Sequence, residues 1–155
     1  MSDPAPVWFE DAAVGQIERF GRYEVTREEV LAFATAYDPQ AFHIDDAAAA
    51  ASPIFGRLAA SGWHTAAMGM RMTVDHNEAI GRKTLGALGI DEMRFHRPVY
   101  PGDVLRVETE VLEARVSGSI PGAGVVRIRT TVFNQHDKAV LSHAAGILLP
   151  RRPAD

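Results

Sequence analysis

The stretch from Gly62 to about residue 74 constrains the fold more than any other part of this chain. It consists of apolar and small residues on almost every side and is broken only by the polar side chains of His64, Thr65, Arg71 and Thr73. A helix without a wide polar face has to be buried. The rest of the chain must therefore supply structure that surrounds one central helix.

Five segments have the composition of β-strands. An irregular strand is predicted first, and four longer ones follow the central helix, at residues 16–25, 84–95, 103–116, 125–135 and 139–149. One buried helix with these strands predicts an α+β fold in which an antiparallel sheet wraps around the helix. A chain of 155 residues is close to the usual domain size. We therefore predict a single domain over residues 1–155, with flexible ends at about 1–6 and 151–155.

Two short helices are predicted between the first strand and the central helix. Thr26 and Glu29 form a capping-box pattern that predicts a helix over residues 27–36. An Asp-Pro step ends this helix, because a residue before proline is pushed out of the α region. The alanine-rich segment after Asp45 or Asp46 predicts another short helix. The segment between these two helices is expected to be a loop.

The composition excludes several classes of function. The formal net charge is -4, whereas binding to nucleic acid or to an anionic membrane needs a basic surface, so we predict neither partner. The absence of cysteine rules out disulfides and thiolate metal sites. The histidines lack metal-ligand spacing and the glycines form no nucleotide-binding loop, so we predict no metal and no bound cofactor. Without a signal peptide or an apolar run of about 20 residues, we expect a cytoplasmic location.

Asp38 and His43 lie close together in the predicted loop between the first two helices. A carboxylate and an imidazole on one tight loop can face the same water or substrate, so that one takes a proton and the other gives one. The alternative is structural, because aspartate before proline commonly starts a turn and an isolated histidine is more often structural than catalytic. The spacing alone leaves both interpretations open.

Gly62 opens the central helix, and Ser61 occupies its N-cap position. The free N–H groups of a first helical turn and the helix dipole favour negative charge. An oxygen on which charge develops during a reaction would be stabilised there, as in an oxyanion hole. The alternative is that Gly62 simply begins a packed helix. His64, one position further on, either lines a pocket or makes a structural hydrogen bond.

Three segments resemble the MaoC-like hydratases, also called the R-specific enoyl-CoA hydratase family. Residues 38–45 (DPQAFHID) are similar to the loop that runs Asp-x-Asn-Pro-aliphatic-His-x-Asp in that family. Residues 60–63 (ASGW) correspond to its Ala-His-Gly-Met segment, and residues 95–103 (FHRPVYPGD) resemble its Phe-x-x-Pro-Val-x-x-Gly-Asp strand turn. The resemblance runs in order from about residue 8 to residue 149.

This resemblance implies a hot-dog fold, a homodimer or higher homo-oligomer, and an acyl-CoA substrate, with no cofactor beyond the CoA that the substrate carries. By position, Asp38 and His43 would activate water for addition across an α,β-unsaturated thioester. The N–H of Gly62 would polarise the thioester carbonyl. We take Asp38 as the base for water and His43 as the group that protonates Cα. Dehydration of a 3-hydroxyacyl-CoA would use the same groups in reverse.

The chain departs from the family pattern at four positions of these segments. Gln40 replaces the usual asparagine, Ala41 replaces proline, and Ser61 replaces histidine. Trp63 is much bulkier than the usual methionine. We assign Ser61, Gln40 and Trp63, together with Gly62, to the oxyanion and substrate-binding region, and we expect a reshaped acyl pocket.

Two other functions stay open at this point. Hot-dog proteins also hydrolyse thioesters, so a thioesterase is the second enzymatic interpretation. A non-catalytic acyl-CoA-binding or regulatory subunit is the third, which the changes at Gln40, Ala41 and Ser61 make credible. The sequence predicts neither the length and branching of the acyl chain, nor CoA as opposed to acyl carrier protein, nor the direction of the reaction.

Overall fold

One antiparallel sheet forms the scaffold of the molecule. The structure, a computed structural model, describes residues 2–155, so Met1 of the predicted flexible end lies outside the described residues. The strands lie in the order β1-β3-β4-β5-β2. Their bounds are β1 Ile17–Glu24, β2 Gly86–Phe95, β3 Val104–Val116, β4 Ala123–Phe133 and β5 Ala139–Pro150. The five predicted strands are confirmed.

The central helix α4 (Gly62–Ala79) crosses the concave face of this sheet. Its side chains Met68 and Met72 are buried among apolar residues of β1, β3, β4 and β5. A Cβ added at Gly69 would lie 3.0 Å from Val132, so the small residue lets the helix approach β4 closely. An antiparallel sheet wrapped around a central helix is the hot-dog fold, and that prediction is confirmed.

Strand β1 is irregular because it bends around α4. Its pairing with β3 shifts between Phe20 and Tyr23. Gly21 lies inside this bulge with a φ of +86°, in the left-handed region that favours glycine. A Cβ at Gly21 would also lie 2.6 Å from the sulfur of Met72. Both the backbone conformation and the space therefore require glycine.

The helix α4 differs from its prediction in two ways. It continues to Ala79 instead of ending near residue 74, because the polar residues that follow are compatible with an exposed helix end, and Gly81 (φ +75°) comes just after it. It is also not buried on every side: Trp63 is 63% exposed and Met70 is 52% exposed. The sheet of a single chain covers only one side of the helix.

Three short helices precede α4, namely α1 (Arg27–Tyr37), α2 (Ala41–Ile44) and α3 (Asp46–Ala51). Thr26 caps α1 as predicted, accepting a hydrogen bond from the backbone of Glu29 at 3.2 Å. Asp45 caps α3. The segment that we expected to be a loop contains one helical turn, α2, and His43 lies in that turn.

Residues next to the two ends of the described chain contact the body of the molecule. The N–H of Val7 donates to the carbonyl of Gly81 at 3.0 Å. At the other end, Arg151 pairs with Glu10 at 3.1 Å and Arg152 pairs with Asp11 at 2.7 Å. No helix within residues 2–155 has the length and hydropathy of a membrane span.

Candidate active site

Asp38 lies at the C-terminal end of α1, where its backbone N–H still donates to Ala34. One carboxylate oxygen, Oδ1, accepts a hydrogen bond from Gln40 Nε2 at 2.7 Å. The other, Oδ2, accepts from Ser61 Oγ at 2.7 Å. The bond from Gln40, then that from Ser61 and the nearby imidazole of His43, hold the pKa of Asp38 below its ordinary value. Asp38 is therefore an oriented anion at neutral pH.

His43 lies in α2 and is only 4% exposed. Its Nδ1 is 2.7 Å from the carbonyl oxygen of Ala59. A carbonyl can only accept, so Nδ1 carries a proton and the ring orientation is fixed. Its Nε2 faces Asp38 at 3.5 Å from Oδ2, too long for a hydrogen bond. Nε2 is thus the nitrogen that can exchange a proton with a third molecule.

Aromatic rings surround the imidazole of His43. Phe42 meets it edge-on with ring centroids 4.6 Å apart, and Phe55 lies 5.5 Å from it. These two phenylalanines also contact each other at 4.9 Å. The exchangeable nitrogen is therefore held in largely apolar surroundings, where nearby charges interact more strongly than in water.

Ser61 and Gly62 connect Asp38 to the beginning of α4. Ser61 is fully buried and caps the helix, since its Oγ accepts from the N–H of Trp63 at 3.3 Å while donating to Asp38. The N–H of Gly62 has no hydrogen-bond partner among residues 2–155. A Cβ at Gly62 would lie 2.6 Å from the ring of Phe95, so glycine lets this ring pack against the beginning of α4. The structure therefore brings a free N–H next to the residue that orients Asp38.

Two departures from the family pattern keep the carboxylate in place. Gln40 and Ser61 both donate to Asp38, so the longer amide and the hydroxyl each retain a hydrogen bond to it. The side chain of Trp63 lies outside this network: it is largely exposed and meets the ring of Phe95 edge-on at 6.3 Å. Of the six predicted site residues, Gln40, Asp38 and Ser61 are joined by hydrogen bonds. His43 faces Asp38, Gly62 follows Ser61 in the chain, and the side chain of Trp63 lies at the rim.

Other residues near the site were not all anticipated. The carbonyl of Ala59 is an essential partner of His43, and no sequence signal identifies it because a backbone acceptor depends only on the path of the chain. His64 is 6% exposed and stacks on Phe33 at 4.8 Å. Its Nδ1 makes no hydrogen bond, so packing on Phe33 holds this ring. Within residues 2–155, no three side chains of the metal-binding types are grouped to hold an ion.

A cavity of about 540 Å³ lies beside this site, between α4 and the concave face of the sheet. Its roof is the face of α4 that carries Ala66, Gly69, Met70 and Thr73. Asp38 and His43 are not part of its lining, because they lie beyond the first turn of the helix. The reacting groups and the cavity are thus separate regions joined by the N-terminal turn of α4.

Comparison with known proteins finds relatives over nearly the whole chain. The MaoC-like dehydratase from Rhodospirillum rubrum is 39% identical, with a TM-score of 0.82, over 96% of this chain and 99% of that one. The unliganded R-hydratase PhaJ1 from Pseudomonas aeruginosa is 29% identical, with a TM-score of 0.68, over 97% of this chain and 90% of that one.

A further similarity is local. The mesaconyl-CoA hydratase of Cereibacter sphaeroides is 37% identical over 73 residues, which make up 47% of this chain and 21% of that protein. The family model described as a MaoC-like domain matches residues 10–132, which include every predicted site residue. On this match, and on the arrangement of Asp38, His43 and Gly62, the chain belongs to the MaoC-like domain family.

Proposed function

We propose that this protein is a hydro-lyase that adds water reversibly to an α,β-unsaturated acyl-CoA. The observation that carries the proposal is the 3.5 Å gap between Asp38 Oδ2 and His43 Nε2, with every other hydrogen-bonding atom of the two side chains occupied. A hydratase needs one proton acceptor and one proton donor that face the same small molecule. Membership of the MaoC-like family and the likeness to an R-hydratase support this reaction class.

Asp38 is the base for the attacking water. A water molecule next to the gap can contact Oδ2 of Asp38 and Nε2 of His43 together, because Ser61 and Ala59 hold the two side chains in place. As the water oxygen bonds to Cβ of the substrate, its proton passes to the carboxylate. The low pKa of Asp38 keeps the carboxylate ionised and ready for this step.

His43 supplies the proton that Cα receives. In its protonated form the ring carries N–H on both nitrogens, and the carbonyl of Ala59 and the carboxylate of Asp38 balance its charge. Nε2 gives its proton to Cα as the double bond becomes a single bond. Transfer of the proton from Asp38 to Nε2 then restores both groups, so that one water is consumed and no proton is lost.

Gly62 stabilises the charge that develops on the thioester oxygen. Its N–H has no partner in the described part of the chain and lies at the positive end of α4. A single donor of this kind contributes about 3 kcal/mol to the transition state in enzymes where it has been removed. No cofactor beyond the CoA of the substrate is needed in this mechanism. The CoA itself is a proposal, supported by the local similarity to a mesaconyl-CoA hydratase.

We also propose that two chains associate through β2 and α4. Strand β2 is an edge of the sheet. Large apolar side chains are exposed on these two elements, namely Trp63, Met70, Val74, Leu88, Ile90 and Phe95. An exposed apolar strip along an edge strand marks an association surface. Sedimentation velocity tests this: the wild type should be a dimer, and Ile90→Lys should lower its association constant strongly.

Assays of enoyl-CoA hydration test the reaction itself. The wild type should remove the ultraviolet absorbance of an enoyl thioester without releasing free thiol. Release of thiol at the same rate would instead identify a thioesterase. Tight binding of acyl-CoA with neither signal would identify a binding subunit, and the hydratase proposal would then be wrong.

A further inference from the structure

A band of polar side chains crosses the apolar floor of the cavity. The antiparallel register aligns one residue from each of four neighbouring strands, and all of them line the cavity: Glu18, Thr109, Thr130 and His143. We call this set the polar row. The rows on either side are apolar and consist of Phe20, Val107, Val132 and Leu141, and of Val111, Ile128 and Ala145.

The two ends of the polar row differ in their hydrogen bonding. Glu18 is satisfied, because His76 and Arg82 both contact its carboxylate at 2.5 Å. At the other end, Nδ1 of His143 is buried and has no hydrogen-bond partner among residues 2–155. Thr130 lies directly opposite His143 and is 9% exposed. The ring of His143 lines the cavity and makes no side-chain hydrogen bond among residues 2–155, so a ligand atom in the cavity can pair with this end of the row.

The path from the reacting groups to the polar row is short. Phe95 lies under Gly62 and Val132 lies under Gly69, so α4 follows the apolar row that includes Leu141. The polar row is two residues further along each strand, which is about 7 Å away. An acyl chain that leaves a thioester at Gly62 along the roof of the cavity therefore reaches the polar row after several carbons.

We propose that the cavity holds the acyl group of the substrate and that His143 and Thr130 bind an uncharged oxygen function on it. This oxygen, a hydroxyl or a carbonyl, lies several carbons beyond the double bond. The inference rests on the proposed function, since it names the substrate class of the same enzyme. His143 and Thr130 are then residues that determine specificity and take no part in the chemistry.

The charge of the cavity decides which oxygen function fits. Burial lowers the pKa of His143, so near pH 7 its ring is neutral and offers one N–H and one lone pair. A carboxylate in the cavity would need a cation, and the lining cation Arg82 is already paired with Glu18. A plain hydrocarbon chain would leave the imidazole nitrogen unpaired. An uncharged oxygen can form a hydrogen bond with the ring without burying an unpaired charge.

Matched pairs of enoyl-CoAs test this inference. Each pair has the same chain length and differs only in one hydroxyl or keto group on the chain. The wild type should prefer the oxygenated member in kcat/KM by roughly tenfold or more, the scale of one or two buried hydrogen bonds. His143→Leu and Thr130→Val should bring this ratio close to one. Ile128→Val, a change on the apolar floor, is the control and should keep the wild-type ratio.

Two results would overturn the inference. In the first, His143→Leu changes kcat/KM for both members of a pair by the same factor. In the second, the variants alter the dimer association constant and leave the ratio unchanged, which would make the cavity part of the subunit contact. Calorimetry with saturated acyl-CoA pairs separates this inference from the hydratase proposal. If no enoyl-CoA is hydrated, calorimetry still tests the polar row. Tighter binding of the oxygenated acyl-CoA that is lost in His143→Leu would support the inference, and equal binding of the two members by the wild type would contradict it.

Discussion

His43 and His143 are both imidazoles in the interior, but what holds them differs. His43 has one nitrogen bound to the carbonyl of Ala59, and the other faces Asp38. His143 has a buried nitrogen with no partner and lies opposite Thr130 on the floor of the cavity. A proton-transfer group works best when its tautomer and orientation are fixed before the substrate arrives, whereas a recognition group keeps an unfilled position for the ligand.

The largest effect on activity is expected next to His43, at its partner Asp38. Asp38→Asn keeps the size of the side chain and removes the base, so kcat/KM for hydration should fall by a factor on the order of 10² to 10⁴. Loss of the enoyl absorbance measures the rate, and circular dichroism checks the fold. Asp46→Asn is the matched control, because that carboxylate is exposed and only pairs with Arg27. Full activity in Asp38→Asn would refute the proposed mechanism.

The start of α4 should be almost as sensitive. Gly62→Ala places a methyl group 2.6 Å from the ring of Phe95, so the free energy of unfolding should fall by about 1 to 3 kcal/mol and turnover should drop with it. Gly118→Ala is the control, since its Cβ would meet nothing within 4 Å. Adding Phe95→Leu should recover part of the loss. Denaturant unfolding measures the loss of stability and its recovery. A Gly62→Ala protein as stable as wild type would contradict the packing described.

The unpaired imidazole of His143 should affect how the stability of the protein depends on pH. Burial lowers the pKa of His143 in the folded protein, so the unfolded chain binds more protons as the pH falls below the ordinary histidine value of about 6.5. Stability is therefore lost between neutral and mildly acidic pH. His143→Leu should flatten this loss, and the matched change at the exposed His136 should not. Burial lowers the pKa of His64 as well, and this residue remains in both variants, so part of the loss of stability should persist. Equal slopes in wild type and His143→Leu would contradict this account.

The smallest expected effect concerns the tuning of the base. The hydrogen bond from Gln40 is the main cause that lowers the pKa of Asp38. In Gln40→Leu this pKa should rise, so the acidic limb of the kcat/KM profile should move to higher pH while the maximal rate changes little. The pH profile of hydration measures the shift. An unchanged limb would mean that Gln40 does not tune the carboxylate.

Much of the scaffold could be predicted because its signals are local. Alternating side chains predicted the strands, and Thr26 with Glu29 predicted the beginning of α1. The motif around Asp38 and the glycine at the start of α4 identified two segments that the structure brings together, although the first contains the helical turn α2 where a loop was expected. Those predictions depend on a few neighbouring residues, and local patterns determine such features without knowledge of the tertiary fold.

The rest depended on contacts between distant parts of the chain. The polar row needs the register of β3, β4 and β5, which brings residues 109, 130 and 143 side by side. The sequence predicts which residues share a face of one strand but not how neighbouring strands align. The apolar outer face of α4 was expected to be covered, and a single sheet leaves part of it exposed.

The contact between Phe95 and Gly62 links two parts of the molecule that perform different tasks. The ring belongs to the edge strand β2 and is half open to solvent, yet its inner side fills the space next to the backbone of Gly62. A neighbouring subunit that pressed on this ring would shift the N–H to which we assign the thioester oxygen. Assembly and rate would then vary together, so a change at the subunit boundary would alter turnover without touching a reacting group.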